Sequence, residues 1–297
     1  MNIRTIGIAG AGTMGYSMAD IFAAHGYEVT LWNHRKEKLG KVKPLISEGS
    51  REKIRYTAEL TDIADCDLIV ESITENFDLK AGFYDDLSKV VSDHTIIATN
   101  TSGLSINRLA AHVKNPERFL GMHWFNPPTL ILLIEIIRND KTGDEAAETV
   151  RQVALSIGKK PVLVNRDVPG FAANRLQLAL YREALSMVEN GVISKEGVDD
   201  VVKYGLGFRW ACLGPLETMD FGGLDTFYHI QEYLNQDLED THEPSPSLKE
   251  HFEKGELGVK TGKGFYDYSG DKAGEATKAR DEKLKAVFDA LYGDSRA

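Results

Sequence analysis

Apolar positions along the chain follow two rhythms. Short apolar runs at 5–9, 28–32, 67–73, 95–98, 119–124, 133–137 and 161–164 are bounded by turn-forming residues and predict strands. Between them Met14, Met18, Ile21 and Phe22 recur at helical spacing until Gly26 stops the pattern. The same spacing carries Leu79, Phe83, Leu87 and Val90 through 78–91, and a further helix is predicted over 146–157. Strands alternating with helices predict an α/β fold, a Rossmann-like doubly wound parallel sheet.

The rhythm changes at Asp167-Val168-Pro169-Gly170, after which strand patterns largely vanish. Leu176, Leu180, Ala184, Met187 and Val188 mark one long helix that Gly191 ends. Ser194 is placed to cap a second helix carrying Val198, Val201 and Val202. Pro215 after Gly214 suits the first turn of a third. A boundary near 168 therefore separates an α/β domain, 1–168, from an all-α C-terminal domain, 169–297. The polar tail of about five residues is expected to fray.

Of the 297 residues, 42% are apolar and 27% charged, enough to bury a substantial core in either domain. The net charge of −10 repels nucleic acid and anionic membranes, so an anionic ligand must be met by a local positive patch. Cys66 and Cys212 are too few and too far apart for a disulfide framework or a metal-ligand cluster; both read as buried thiols. Met1-Asn2-Ile3-Arg4 runs straight into a strand without a signal-like h-region, and no stretch approaches the roughly 20 apolar residues of a membrane span. A cytoplasmic chain acting on a small molecule is expected.

Gly10-Ala11-Gly12-Thr13-Met14-Gly15 fits G-x-G-x-x-G and sits where the pattern requires, after a strand and opening a helix. Its glycines allow a tight turn and close approach of backbone to a pyrophosphate, and the helix N-terminus offers free N–H groups. The 1–168 domain is therefore read as dinucleotide-binding. At the end of the second strand stands Asn33-His34-Arg35-Lys36, with no acidic residue to repel a 2′-phosphate. Asn33 can bond a ribose, and Arg35 can pair with a phosphate or, with Lys36, simply solvate a helix start. NAD and NADP both remain open.

His123 leaves the end of an apolar strand in Gly121-Met122-His123-Trp124-Phe125-Asn126-Pro127-Pro128. Glu135 lies inside another, where a carboxylate is costly unless paired. Hydride transfer needs a base that titrates near neutrality, and a carboxylate on the far imidazole nitrogen would fix its tautomer and stabilise the imidazolium. Taken singly, either residue reads first as an ordinary core histidine or an edge-strand glutamate.

Together the motifs resemble the 3-hydroxyacyl-CoA dehydrogenase family. The likeness rests on H-x-F-N-P-P from His123 with Glu135 beyond it, Asn100-Thr101-Ser102, Pro169-Gly170-Phe171, Asn174-Arg175-Leu176, Gly214-Pro215, Gly222-Gly223-Leu224-Asp225-Thr226 and Lys260-Thr261-Gly262-Lys263-Gly264-Phe265-Tyr266. It implies that His123 is the general base, that Glu135 orients it, and that Ser102 and Asn174 hold the substrate oxygen. It places Glu75, Lys80, Asn100, Asn126 and Lys260 at the nicotinamide nucleotide, and implies a homodimer built on the helical domain.

Two departures bear on specificity. Asn33 replaces the family's acidic residue, and 36–55 is too short for the two full helices with which the family helps to hold CoA. Lys36, Lys38, Lys41 and Lys43 within it are either a CoA-phosphate patch or a solvated helix face. Gly205-Leu206-Gly207-Phe208-Arg209-Trp210 resembles the L-gulonate 3-dehydrogenase, lambda-crystallin and L-carnitine dehydrogenase branch, which implies Arg209 near a small carboxylate. H-W-x-N-P-P also resembles a dehydrogenase of a hydroxymethyl-pyridine carboxylate. The expected activity is hydride transfer on an L-3-hydroxyacyl-CoA; the alternatives are the same chemistry on a free hydroxy acid, or a nucleotide-binding protein without turnover.

Overall fold

The computed structural model describes residues 2–293, so the tail expected to fray lies, from 294 on, outside them. Eight strands form one sheet: β1 (Thr5–Ala9), β2 (Glu28–Trp32), β3 (Ile54–Thr57), β4 (Leu68–Glu71), β5 (Ile96–Thr99), β6 (Phe119–Trp124), β7 (Leu133–Arg138) and β8 (Lys160–Val164). Their order is β3-β2-β1-β4-β5-β6-β7-β8. Seven were expected from the apolar runs. The eighth, β3, is a four-residue edge strand with half its positions buried, too brief for a period-two signal. The sheet is parallel from β3 to β6, but β7 runs antiparallel to β6, and β8 follows β7. The doubly wound sheet is as expected, and its one antiparallel step arises because only eight residues, 125–132, join β6 to β7, too few for a parallel crossover.

The first unit of the chain spans 1–173 and carries six helices of the α class: α1 (Thr13–Ala24), α2 (Lys36–Val42), α3 (Glu48–Arg51), α4 (Phe77–Leu87), α5 (Ile106–Ala110) and α6 (Asp144–Ser156). Alternation along each strand divides the core into two faces. Ile6, Ile8, Leu120, Met122 and Trp124 pack with Met18 and Phe22 of α1 and Val150 of α6. Ile69, Ile97 and Phe119 pack with Tyr84 and Leu87 of α4 and Leu109 of α5. Gly26 ends α1 because the chain turns there at φ +89°, open to glycine at no steric cost. The α4 helix is shorter than 78–91: Asn76 caps it by accepting the Leu79 amide, and it stops at Leu87.

Winding runs outward from β1 through β2 to β3, then returns to β4 beside β1. That reversal opens a crevice at the carboxyl ends of β1 and β4, where such sheets bind ligands. Cys66 is buried, its thiol pushed up to about 12 by burial and then by Asp67 and Asp65. Cys212, expected to be buried, is exposed.

The second unit begins at Asn174, a few residues past the boundary read from sequence. Its helices are α7 (Ala173–Glu189), α8 (Lys195–Val201), α9 (Gly207–Trp210), α10 (Pro215–Gly222), α11 (Leu224–Leu234), α12 (Pro246–Glu253) and α13 (Lys272–Tyr292). Gly191 takes φ +70° just beyond α7, and the Ser194 hydroxyl caps α8 by accepting the Gly197 amide at 3.0 Å. Val202, expected within α8, instead opens a π-helical turn, Val202–Leu206, that leads into α9. Pro215 takes the first turn of α10, and the Gly214 amide donates to Glu217 at 2.7 Å. Among the described residues no helix is long and apolar enough to cross a membrane.

Candidate active site

The glycine turn after β1 is built by contact. A Cβ on Gly10, which sits at φ +120°, would lie 2.3 Å from the Ser72 carbonyl oxygen. One on Gly15 would lie 1.8 Å from the carbonyl oxygen of Gly10. Gly12 differs: a Cβ there would meet nothing within 4 Å. It is the exposed N-cap of α1, with no side-chain cap, ahead of Thr13 and Met14. The first N–H groups of a helix have no partner within it. Gly12 thus leaves room over open donors, the cradle a pyrophosphate fits.

Beyond β2, Asn33 is buried and already committed. Its N–H donates to the Thr57 carbonyl at 3.1 Å, and its side-chain oxygen accepts the Arg35 amide at 3.0 Å. This turn exposes His34 and Arg35 together, the Arg35 Nε donating to His34 Nε2 at 3.1 Å. Arg35 stands at the N-cap position of α2 without a side-chain cap, and Lys36 begins that helix.

His123 and Glu135 face each other across the antiparallel β6–β7 ladder. Directly opposed residues project to the same face, which accounts for their sequence separation. His123 Nδ1 lies 2.9 Å from Glu135 Oε2. Glu135 Oε1 accepts the amides of Ala172 and Ala173 at 2.9 and 2.8 Å. Only 3% of His123 and 1% of Glu135 are exposed. Burial pushes the Glu135 carboxyl up, but the hydrogen bonds from His123, Ala173 and Ala172 outweigh it and hold the group below its ordinary range. A carboxylate can only accept, so Nδ1 carries a proton, and in the neutral imidazole Nε2 is then the acceptor. Among the described residues Nε2 has no hydrogen-bond partner.

The imidazole packs against two rings, Phe125 at 4.4 Å and Phe171 at 5.8 Å between centroids. Phe171 is the only non-glycine among the described residues at positive φ, +52°. That backbone costs about 1–2 kcal/mol. It follows Gly170 in a turn closed by the Phe171 amide on the Val168 carbonyl, and it presents the next two amides to Glu135.

A second buried charge, Glu71, ends β4 with 0% exposure. Its Oε1 accepts from Lys80 Nζ at 2.5 Å and the Ile73 amide at 2.7 Å; its Oε2 accepts from Tyr84 and Thr99 hydroxyls, both at 2.7 Å. Lys80 is also fully enclosed, with Nζ 3.3 Å from Glu75 Oε2. Glu75 Oε1 accepts the Thr101 hydroxyl at 2.5 Å and the Ser102 amide at 2.9 Å. Lys80, which the family resemblance puts against the nucleotide, thus faces two carboxylates, while the Glu75 side chain is 44% exposed. Asn100 braces the same region: its oxygen accepts the Trp124 amide at 2.8 Å, and its nitrogen donates to Ser72 at 3.2 Å. Asn126 is exposed in the loop after β6.

Sequence reasoning gave no role to Glu71, Tyr84 or Thr99, nor to Thr101 and Phe171, although the last two lie in motifs that carry the resemblance. Glu71 carried a usable signal, a lone charge closing the apolar run Leu68-Ile69-Val70. The remaining expected site residues belong to the second unit. Asn174 is half-buried in the first turn of α7, Arg209 is exposed on α9, and Lys260 is exposed in the turn spanned by the Gly258–Lys263 bridge.

A doubly wound sheet, a glycine turn with open donors at its switch point, and a His–carboxylate pair at neighbouring strand ends define a nicotinamide-dependent oxidoreductase. The chain belongs to the 3-hydroxyacyl-CoA dehydrogenase family: residues 5–168 match its NAD binding domain and 170–268 its C-terminal domain. It is similar to the 5-formyl-3-hydroxy-2-methylpyridine 4-carboxylate 5-dehydrogenase of Mesorhizobium japonicum, at 35% identity over 98% of this chain and 99% of that one. A probable 3-hydroxybutyryl-CoA dehydrogenase of Deinococcus radiodurans is 37% identical over 88% of this chain and 99% of its own. The crystal structure of a 5-formyl-3-hydroxy-2-methylpyridine 4-carboxylic acid 5-dehydrogenase, an NAD+ dependent dismutase, is similar at TM-score 0.92 and 35% identity, covering 98% and 99% of the two chains.

Proposed function

We propose that the chain transfers hydride between NAD and an L-3-hydroxyacyl substrate presented as a CoA thioester, with His123 as the general base. The observation that carries this reading is the buried His123–Glu135 pair, in which the carboxylate holds Nδ1 at 2.9 Å and Nε2 is the nitrogen left to meet a substrate. When bound, the nicotinamide supplies the hydride acceptor. Gly10, Gly12 and Gly15, with Thr13 and Met14, would hold the pyrophosphate at α1. His34, Arg35 and the side-chain nitrogen of Asn33, whose oxygen holds the Arg35 amide, would meet the adenosine ribose, and Glu75, Asn126 and Lys260 the rest of the nucleotide. Lys80 and Asn100 would act by positioning, since their polar atoms already serve Glu75, Trp124 and Ser72. Ser102 and Asn174 would hydrogen-bond the substrate oxygen, which gains most from such donors as it becomes negative on reduction.

Family membership along both domains supports the CoA ester. Lys36, Lys38 and Lys41 are exposed on α2 and can meet its phosphates, whereas Lys43 pairs with Glu52 at 3.3 Å. A free hydroxy acid is the second reading, and one observation favours it. The chain superposes on the pyridine-carboxylate enzyme at TM-score 0.92, against 0.73 on a 3-hydroxyacyl-CoA dehydrogenase that covers the same 98% of it. The α2 and α3 helices, of seven and four residues, offer little with which to hold CoA. Rates with 3-hydroxybutyryl-CoA, the same acyl group without the CoA nucleotide, and free hydroxy acids separate the two. On the first reading the nucleotide contributes binding energy, so the truncated thioester reacts far more poorly. On the second, Arg209→Ala costs about 10²-fold or more with a free acid, as a desolvated carboxylate loses its cationic partner. A brisk rate with the CoA ester that Arg209→Ala leaves untouched would end the second reading.

Arg35 sets the expected cofactor preference. If NADP is used, Arg35→Ala should weaken its binding by about 1.5–3 kcal/mol, the scale of a hydrogen bond to a charged group, and leave NAD unchanged. Equal losses for both cofactors in a calorimetric titration would show that Arg35 does not read the phosphate.

A homodimer built on the second unit is the expected assembly. Leu176, Leu216, Phe221, Leu224 and Tyr228 on α7, α10 and α11 are exposed, a density of large apolar side chains that monomers rarely leave in water. Sedimentation should give twice the 32.9 kDa chain mass. A chain-sized mass at micromolar concentration would contradict it.

A further inference from the structure

Between the glycine turn and His123 the sheet order is β1, β4, β5, β6. A nicotinamide that starts from a pyrophosphate at Gly12 and delivers hydride beside His123 must cross the ends of β4 and β5. The loops there carry Glu75, Thr101 and Ser102, and the half-exposed group among the charges is Glu75.

Behind Glu75 the charges do not cancel. Glu71 and Lys80 form a fully buried pair, and Lys80 also faces Glu75, so two carboxylates share one ammonium. Among the described residues no other cation pairs with either carboxylate: the other donors to Glu71 are the Ile73 amide and two hydroxyls, and those to Glu75 are a hydroxyl and an amide. The Tyr84 hydroxyl stays neutral, burial and then Glu71 raising it well above its ordinary range. Pinned inside the fold, this arrangement does not need to reorganise when the ligand charge changes.

The inference rests on the nicotinamide use proposed above. We infer that Glu71, Lys80 and Glu75 form a fixed cluster of one net negative charge whose open end, Glu75, faces the nicotinamide and favours the oxidised cofactor over the reduced one. The oxidised ring carries a positive charge, and hydride addition makes it neutral. A fixed negative charge beside it therefore lowers the free energy of the oxidised complex alone. Glu71 is a positioning residue here: it neutralises Lys80, so that Glu75 is left uncompensated, and it holds Lys80 where Glu75 can lean on it.

The test is the ratio of dissociation constants for NAD+ and NADH, titrated separately on the full chain. Glu75→Gln keeps an oxygen for Thr101 and Ser102 but removes the charge; Glu71→Gln removes it from behind. Each should raise Kd(NAD+)/Kd(NADH) about tenfold, equivalent to about 1.4 kcal/mol. Tyr84→Phe deletes a hydrogen bond to Glu71 without altering charge, and should leave the ratio where it was. Should Glu71→Gln fail to fold, Glu75→Gln decides alone, since its side chain is half-exposed. An unchanged ratio, equal weakening of both cofactors, or a shifted ratio in Tyr84→Phe overturns the inference while leaving the use of NAD intact. Wild-type protein that binds neither cofactor overturns both.

Discussion

Replacing His123 by alanine should lower kcat by at least about 100-fold while cofactor still binds. General acid–base catalysis contributes about 10²–10⁴-fold, and among the described residues the imidazole is the group held with a basic nitrogen at the end of β6 and an ionised partner behind it. Cofactor affinity should survive, because the glycine turn and the start of α1 lie across β4 and β5 from His123. The split between the two readouts matters. Loss of both would point to collapse of the site, in which the Phe125 and Phe171 rings lose the imidazole they pack against. Retention of near-normal kcat would remove His123 from the mechanism.

The second large effect is expected at Glu135, and the informative change is Glu135→Gln. The substituted amide has nearly the same shape as the carboxylate, and its oxygen can still accept the Ala172 and Ala173 amides, but the nitrogen it then turns towards His123 can only donate. Nδ1 must become the acceptor, the proton moves to Nε2, and the atom meant to take the substrate proton already holds one. A wrong tautomer in an otherwise intact site costs on the order of 10²–10⁴-fold. Truncation to alanine removes the carboxylate altogether, leaving two amides and a histidine without their buried partner, and should destabilise the fold by about 3–5 kcal/mol. Stability against pH gives an independent reading. The folded Glu135 carboxyl lies below its ordinary range, so its stabilisation is fully present above that range and drains away as pH falls through the lower folded value. Melting temperatures of Glu135→Gln should therefore converge with those of the wild type in acid and diverge towards neutrality. Parallel curves at all pH values would show that the charge of Glu135 contributes nothing to folding.

Much of this site can be read in the sequence because its chemistry breaks the local pattern. A glutamate in an apolar strand and a histidine at the end of another both stand out, and the glycine turn sits between a strand and a helix. What the pattern cannot carry is strand direction. His123 opposes Glu135 only because β7 turns back along β6, and a parallel β7 would have put them out of register. Glu71 broke the pattern as plainly as Glu135, inside the run read over 67–73, but no motif of the resemblance included it. The resemblance set Lys80 against the nucleotide but did not foretell its burial, which follows from two carboxylates that lie nine and five residues before it in sequence. Edge strand β3 escaped because two buried positions make no rhythm. The left-handed Phe171 could not be anticipated from residue type, since phenylalanine rarely adopts it.

The central claim, that this site moves hydride between an alcohol carbon and a nicotinamide, is tested most directly by following the hydrogen itself. Candidate substrates, 3-hydroxybutyryl-CoA and a free hydroxy acid, would be deuterated at the carbinol carbon and incubated with NAD+ and the wild-type chain. The reduced cofactor would then be examined by NMR. The expected result is deuterium on one face of nicotinamide C4 from at least one substrate, with transfer lost in His123→Ala. Cofactor that binds yet gains no deuterium from any of them would contradict the account.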